Sequence, residues 1–234
     1  TDAASGVATP QIRNRGTLGG NLSQDTRCWY YRGGWPCYRA GGNTCYASGP
    51  TAMNREHCIM GSSRCVAVNP SDLAPALIAL DAEFVIQGPR GTRFVDAEDF
   101  FMRPSIDIER MTILKPAELL TKVRLPVRWA GSHFYFEKIE DRKAWDFALM
   151  TVASAMRIKE GVIEEARLSV NGVAPYPVRL GSAESLIQGQ TPSDNLGIKA
   201  GDLAIAKAQP LRHNDFKIPM MRNLVRRAVR SPEG

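Results

Sequence analysis

Residues 9–22 read TPQIRNRGTLGGNL, and the glycine pair inside this stretch is the feature from which the fold can be argued. The polar residues before the pair predict a short strand that leads into Gly19 and Gly20. Two successive glycines allow a positive φ angle or a close approach of the backbone to another group, and the N–H groups of such a turn can bind an anion such as a pyrophosphate. Thr17 and Asn21 add a hydroxyl and an amide on either side. A glycine pair without further context indicates no more than a turn.

The composition of the 234-residue chain is that of a globular protein, with 44% hydrophobic and 23% charged residues. The length suffices for one large domain or two small ones. The longest apolar stretch, residues 73–86, is interrupted by Pro75, Asp81 and Glu83, so we expect no membrane span, which needs about 18 apolar residues. The formal net charge of +6 would suit a nucleic acid or an anionic ligand. No nucleic-acid-binding motif is visible, and a solvated basic surface is the simpler interpretation.

All five cysteines lie between residues 28 and 65, in a segment rich in Gly, Tyr and Trp without a sustained apolar period. Something other than a hydrophobic core must organise such a long segment. The odd number of cysteines argues against a complete disulfide framework. Their spacing, C-x8-C-x7-C-x12-C-x6-C, lacks the close pairs of structural zinc sites and the short run of ferredoxins. Four separated thiolates can still enclose a [4Fe–4S] cluster, so iron–sulfur, zinc and uncoordinated cysteines all remain open. His57, beside Cys58, is a candidate metal ligand, although a solvated loop residue is the simpler interpretation.

Outside the cysteine segment, apolar periodicity predicts an α+β chain with a boundary at 126–131. Ser71 is the expected N-cap of the first helix after that segment. Residues 147–159 fit either a strand or a helix. The other strands are expected at 83–87, 92–95, 118–125, 133–139 and 163–173, and helices at 73–80, 97–102, 183–187, 201–208 and 220–230.

Several stretches together resemble the FAD-binding medium subunit of the molybdenum hydroxylases, the family of xanthine dehydrogenase, carbon monoxide dehydrogenase and aldehyde oxidoreductases. The resemblance implies that residues 1–128 are the second subdomain of a PCMH-type FAD-binding domain. Residues 129–234 would be a C-terminal domain like that of the CO dehydrogenase flavoprotein. The family's first FAD loop and its subdomain are not found, so the chain is expected to begin partway through the FAD-binding domain. The resemblance is carried by TLGGN (17–21), PSDLAPALIALDAEF (70–84), PAELLTKVRLP (116–126), FYFEKIEDRKAWDFALMTVASAM (134–156) and GVIEEARLSVNGVAPYPVR (161–179).

The same resemblance implies that the chain binds FAD and carries no catalytic residue of its own. Lys138 would lie near the isoalloxazine, where a cation stabilises reduced anionic flavin. The ordinary alternatives are an N-cap role for Asp72, a core position for Leu120 and a surface charge at Lys138. The implied cofactor-binding residues are Thr17, Leu18, Gly19, Gly20, Asn21, Asp72, Leu120 and Lys138.

The cysteine segment, residues 23–69, is similar to the insert of 4-hydroxybenzoyl-CoA reductase and of bacterial aldehyde oxidoreductases, whose flavin subunit binds an additional [4Fe–4S] cluster. The motifs RCWYYR, WPC, GGNTC and SSRC carry this similarity. Cys58 falls where relatives need no cysteine, which makes it the surplus thiol. The implied cluster ligands are Cys28, Cys37, Cys45 and Cys65.

In function, the resemblance implies an electron-transfer subunit. A molybdenum-containing large subunit would oxidise an aldehyde or an N-heterocycle, and a small [2Fe–2S] subunit would pass the electrons to FAD in this chain and then to an external acceptor. The extra cluster would be a relay or a storage site near FAD. A zinc-stabilised basic binding module and a disulfide-bonded protein without cofactors are the alternatives. The substrate, the acceptor and the compartment, bacterial cytoplasm or periplasm, remain open.

Overall fold

The computed structural model describes residues 1–233, which form two antiparallel sheets with helices packed against them. Gly234, the last residue of the expected second domain, lies outside the described residues. Among residues 1–233, no helix has both the length and the apolar character that crossing a membrane requires. The helices are α1 (Asp2–Ser5), α2 (Pro10–Arg13), α3 (Leu18–Leu22), α4 (Trp29–Arg32), α5 (Ala74–Ala79), α6 (Gly181–Ile187), α7 (Asp194–Ile205) and α8 (Lys217–Arg230). The strands are β1 (Glu83–Gly88), β2 (Gly91–Asp96), β3 (Leu119–Arg124), β4 (His133–Ile139), β5 (Met150–Lys159), β6 (Val162–Asn171) and β7 (Val178–Arg179).

The first sheet has three strands in the order β2-β1-β3. A hairpin joins β1 to β2 with Gly88 opposite Gly91, and the φ angle of +113° at Gly91 is one that favours glycine. Phe84 and Ile86 point into the core and are fully buried. Phe100 packs edge-on against Phe84, with ring centroids 5.0 Å apart. The three strands expected here are confirmed, with slightly different ends.

The second sheet has four strands in the order β4-β5-β6-β7 and is covered by α8, with α7 and α6 alongside. The stretch at 147–159, which fitted a strand or a helix, contains strand β5. The predicted apolar face of α8 is confirmed because its side chains are fully buried in one core. The opposite face carries partly exposed arginines that pair with acids of neighbouring elements. The buried residues of α8 are Met221, Leu224, Val225, Ala228 and Val229.

Two expected helices have different lengths in the structure. The helix expected at 201–208 is α7, which begins earlier because the Ser193 hydroxyl caps it by accepting a hydrogen bond from a first-turn N–H. The helix expected at 97–102 is a single 3₁₀ turn, Ala97–Asp99. It stops there because Phe101 leaves the helical path and forms an isolated antiparallel bridge.

The glycine stretch at 9–22 contains two short helices, and the strand expected there is wrong. The hydroxyls of Thr9 and Thr17 cap α2 and α3, and Pro10 occupies the first position of α2. Gly19 and Gly20 therefore lie in the first turn of a helix. The threonine caps outweighed the turn tendency of the glycine pair.

The cysteine segment, residues 23–69, has one four-residue helix and two 3₁₀ turns. Its small apolar cluster has three buried members, one of which is Cys58. The segment is anchored on the C-terminal domain, where Ile59 enters the large core and its N–H donates to the Val173 carbonyl at 2.8 Å. Polar and backbone contacts, more than apolar burial, fix this segment.

Candidate functional site

A pocket of about 550 Å³ lies beside α3, and we call it the glycine-loop pocket. The Thr17 hydroxyl accepts a hydrogen bond from the N–H of Gly20 at 3.0 Å, which fixes the first turn of α3 at the edge of the pocket. Of the residues implied to bind a cofactor, the pocket is lined by Thr17, Leu18, Gly20, Asn21 and Asp72.

Gly19 and Leu120 serve the packing of α3 behind this pocket. A Cβ atom on Gly19 would lie 3.0 Å from the carbonyl oxygen of Leu120, a distance tighter than nearly all real contacts. The absence of a side chain therefore lets α3 lie directly against β3. Both residues are outside the pocket lining, and they set its shape through the position of α3.

Asp72, which lines the glycine-loop pocket, belongs to an ion pair with little-exposed side chains. Lys138 Nζ lies 2.9 Å from Asp72 Oδ2 and 2.9 Å from Glu140 Oε2, and it also donates to the carbonyls of Gly6 and Asp146. Burial raises the pKa of Asp72 to about 6, although Lys138 opposes this rise. Lys138 is thus a buried residue behind Asp72, and the alternative of a surface charge is wrong.

The N-cap expectations for Ser71 and Asp72 are both wrong, because α5 begins after Leu73, which occupies the N-cap position without a side-chain hydrogen bond. The hydroxyl of Ser71, not the Asp72 carboxylate, accepts a hydrogen bond from the N–H of Ala74 at 3.2 Å. The same hydroxyl donates to Asn21 Oδ1 at 2.6 Å, which ties α3 to the start of α5. Asp72 is left to face both the pocket and Lys138.

Aromatic and cationic side chains that were not predicted from the sequence also line the pocket. Trp145 is 66% exposed, and its backbone N–H donates to the Ala8 carbonyl at 3.0 Å. The guanidinium of Arg27 lies 4.5 Å from the ring centre of Phe147. Arg27, Trp145 and Phe147 line both this pocket and an adjoining cavity of about 720 Å³. Apolar rings beside cations suit a flat aromatic ligand that carries negative charge.

A separate small cavity, of about 20 Å³, lies inside the cysteine segment, and we call it the cysteine pocket. All five thiols are free in the described chain. Cys58 lies outside the cavity in the apolar cluster, and burial raises its pKa to about 12. No group of three or more His, Cys, Asp or Glu within residues 1–233 is arranged to hold a metal ion. The cysteines that line the pocket are Cys28, Cys37, Cys45 and Cys65.

Hydrogen-bond donors surround this pocket. Burial raises the pKa of Cys28 and of Cys65, while backbone N–H groups oppose the rise at both thiols. Arg39 lines the pocket and is 4% exposed, and its Nε and Nη2 are buried with no hydrogen-bond partner among residues 1–233. His57 Nε2 lies 3.2 Å from Cys28 Sγ. His57 is 3% exposed, so the interpretation as a solvated loop residue is wrong.

Comparison with protein families agrees with this architecture. Residues 1–128 match the FAD binding domain in molybdopterin dehydrogenase. The chain belongs to the FAD-binding subunits of the molybdenum hydroxylases. Residues 134–231 of this subunit match the CO dehydrogenase flavoprotein C-terminal domain, and the expected fold class is confirmed.

Individual relatives resemble most of this subunit. The aldehyde oxidoreductase FAD-binding subunit PaoB of Escherichia coli is 36% identical over 216 residues, which are 90% of this chain and 64% of that protein. The carbon monoxide dehydrogenase medium chain of Hydrogenophaga pseudoflava is 28% identical over 97% of this chain and 64% of its own length. A solved structure of carbon monoxide dehydrogenase from that organism superposes with a TM-score of 0.68 and 27% identity, covering 97% of this chain and 64% of that chain. The subunit therefore spans a little under two thirds of the length of these relatives.

Proposed function

We propose that this chain is the electron-transfer flavoprotein subunit of a molybdenum-containing hydroxylase that oxidises an aldehyde or an N-heterocycle. It would receive electrons from a [2Fe–2S] subunit, hold them on FAD and a [4Fe–4S] cluster, and deliver them to an external acceptor. The grouping of four cysteines in one pocket, with the fifth outside, carries the cluster part of this proposal. The aldehyde assignment is supported by the 36% identity to the FAD-binding subunit of an aldehyde oxidoreductase.

The residues around the glycine-loop pocket fit FAD. When bound, FAD supplies both one-electron and two-electron transfer. Thr17 holds the backbone of α3 in place, and the rings of Trp145 and Phe147 offer flat apolar surface to an isoalloxazine. Arg13 and Arg27 line the same pocket and would balance the charge of a pyrophosphate. In this arrangement Lys138 acts through Asp72, which it keeps fixed in the pocket lining.

The cysteine pocket is lined by four cysteines, the number of thiolates that a [4Fe–4S] cluster requires. A cube of four irons takes one thiolate per iron, so its ligands stand farther apart than those of one zinc ion. Four thiolates make such a cluster anionic, and an anion buried here needs a cationic partner. Arg39 supplies one, because its Nε and Nη2 are buried at this pocket without a partner in residues 1–233, while Nη1 contacts Asp25 and the Glu109 carbonyl. A buried donor without an acceptor is costly unless a missing group satisfies it.

Two adjacent residues of the chain line the two sites. Cys28 lines the cysteine pocket, while its neighbour Arg27 lines the glycine-loop pocket. Its other neighbour, Trp29, lines the adjoining cavity. A cluster held by Cys28 would therefore lie close to a flavin in the glycine-loop pocket, as a relay requires.

Metal and flavin analysis of the anaerobically purified complex tests this proposal. We expect about four iron and four sulfide per chain, together with FAD. Cys37→Ser should lose the iron and Cys58→Ser should keep it. One zinc per chain, without iron or flavin, would refute the redox function and favour the zinc-stabilised basic binding module.

A further inference from the structure

His57 is placed to act on the sulfur of Cys28. Its ring is 3% exposed, and Nε2 lies 3.2 Å from Cys28 Sγ, which is hydrogen-bond distance for sulfur. Its other ring nitrogen, Nδ1, is also buried and has no partner in the part of the chain that the structure describes. This asymmetry between the two nitrogens favours one tautomer.

A neutral imidazole carries one proton, on Nδ1 or on Nε2. A proton on Nδ1 would leave a buried N–H without an acceptor, which is rare in folded proteins. A proton on Nε2 leaves Nδ1 as an unpaired acceptor, the milder defect, and makes Nε2–H the donor to Cys28 Sγ. The sulfur then accepts, as a thiolate or a metal-bound sulfur does.

The position of His57 is fixed through its backbone rather than its ring. Lys217 Nζ donates to the His57 carbonyl at 3.1 Å, and Asn214 Nδ2 donates to the same oxygen at 2.9 Å. The His57 N–H donates to the Asn54 carbonyl at 3.2 Å. Because three contacts hold the main chain, a substitution of the ring alone should leave the loop in place.

We propose that His57 is a positioning residue that donates a hydrogen bond from Nε2 to Cys28 Sγ and thereby raises the reduction potential of the cluster bound there. The inference rests on the proposed cluster. A donor to a ligating sulfur stabilises the reduced cluster more than the oxidised one, because the reduced cluster carries more negative charge on sulfur.

An EPR-monitored redox titration of the holo-complex tests this role. His57→Phe should favour the oxidised cluster by about tenfold, a shift of about 59 mV to lower potential for a one-electron couple. His57→Gln, which can place an amide N–H near the position of Nε2, should recover most of that shift. His213→Phe is the matched control, because His213 is exposed and should leave the potential unchanged.

A measurement on the unsubstituted protein tests the inference even if the His57 variants fail to assemble the cluster. With ¹⁵N-labelled histidine, pulsed EPR should show a nitrogen coupling to the reduced cluster, and it should persist in His213→Phe. A fully assembled cluster with no such coupling, or with the same potential in His57→Phe, overturns this inference alone. Absence of iron and sulfide from the unsubstituted protein refutes the proposed cluster, and this inference with it.

Discussion

Residues 23–69 and the sheet of β4 to β7 with its helices lie against each other, but they bury different kinds of groups. The C-terminal sheet and α8 share one continuous apolar core. The cysteine segment has three buried residues in its own apolar cluster and places polar groups such as Arg39 and His57 inside instead. Hydrophobic burial accounts for the first region. The second has buried polar groups whose cost must be offset by something bound there or by contacts to its neighbour.

Beside the apolar anchor at Ile59, the contact between the two regions is polar. Lys217 is fully buried at the start of α8, and its Nζ donates to the carbonyls of Glu56 and His57 in the cysteine segment. A third bond, at 2.8 Å, reaches the carbonyl of Gly172 after β6. Lys217 of the C-terminal domain thus holds the cysteine segment by its backbone carbonyls. These contacts leave the cysteine side chains free to bind other groups.

The largest effect should follow from removing iron. Chelation of the proposed cluster should lower the amide protection of residues 23–69 by more than about a hundredfold, because the free energy of metal binding is also folding free energy there. Protection in β5 and β6 should not change. Hydrogen exchange followed by mass spectrometry distinguishes the two regions.

The control for this experiment is Cys58→Ser, which should retain both iron and protection because Cys58 lies outside the cysteine pocket. Unchanged protection in the iron-free protein would show that residues 23–69 fold without a cluster, and the contrast between the two regions would then fail.

The next effect belongs to the apolar core. Leu224→Ala should lower the free energy of unfolding by about 3 kcal/mol, since it leaves a cavity at a fully buried position of α8. Iron content at 20 °C should stay the same. Leu203→Ala, at a position that is 43% exposed, should cost less than about 1 kcal/mol. Loss of iron in Leu224→Ala at unchanged folding would mean that the core and the cysteine pocket are coupled more tightly than their packing indicates.

The polar contact between the regions should depend on pH. Burial lowers the pKa of Lys217 from 10.5 to about 8, which corresponds to about 3 kcal/mol. Between pH 8 and 10.5 the folded chain has released this proton while the unfolded chain still holds it, so stability should rise with pH across that window. Chemical denaturation of the wild-type chain and of Lys217→Met should show this rise as the difference between the two curves. A difference that is flat from pH 7 to 11 would contradict it.

The same contrast explains which expectations from sequence succeeded. The strands at β1 to β4 and the apolar face of α8 were predictable because burial imposes a period on the residues that are buried. The cysteine segment has no such period, and grouping its thiols relied on resemblance. The burial of His57 and Lys138 was not predictable, since each is enclosed by residues distant in sequence. Local signals also competed at 9–22, where the caps at Thr9 and Thr17 outweighed the glycine pair.

The smallest effect concerns the glycine-loop pocket, to which the cysteine segment contributes only Gln24 and Arg27. Gly19→Ala should cost about 1 kcal/mol of stability and weaken FAD binding, because the new Cβ would lie 3.0 Å from the Leu120 carbonyl and push α3 away from β3. The iron content should not change. Flavin fluorescence and iron analysis of the same sample measure the two sites separately.

Gly181→Ala is the matched substitution, because a Cβ there meets no atom within 4 Å in a helix of the C-terminal domain. It should be neutral or stabilising by a few tenths of a kcal/mol, since alanine restricts the unfolded chain without strain. Normal FAD affinity in Gly19→Ala would show that the packing of α3 on β3 does not affect FAD binding. Loss of iron together with FAD would instead indicate that the two cofactor sites form one cooperative unit, and the division between the cysteine segment and the rest of the chain would have to be redrawn.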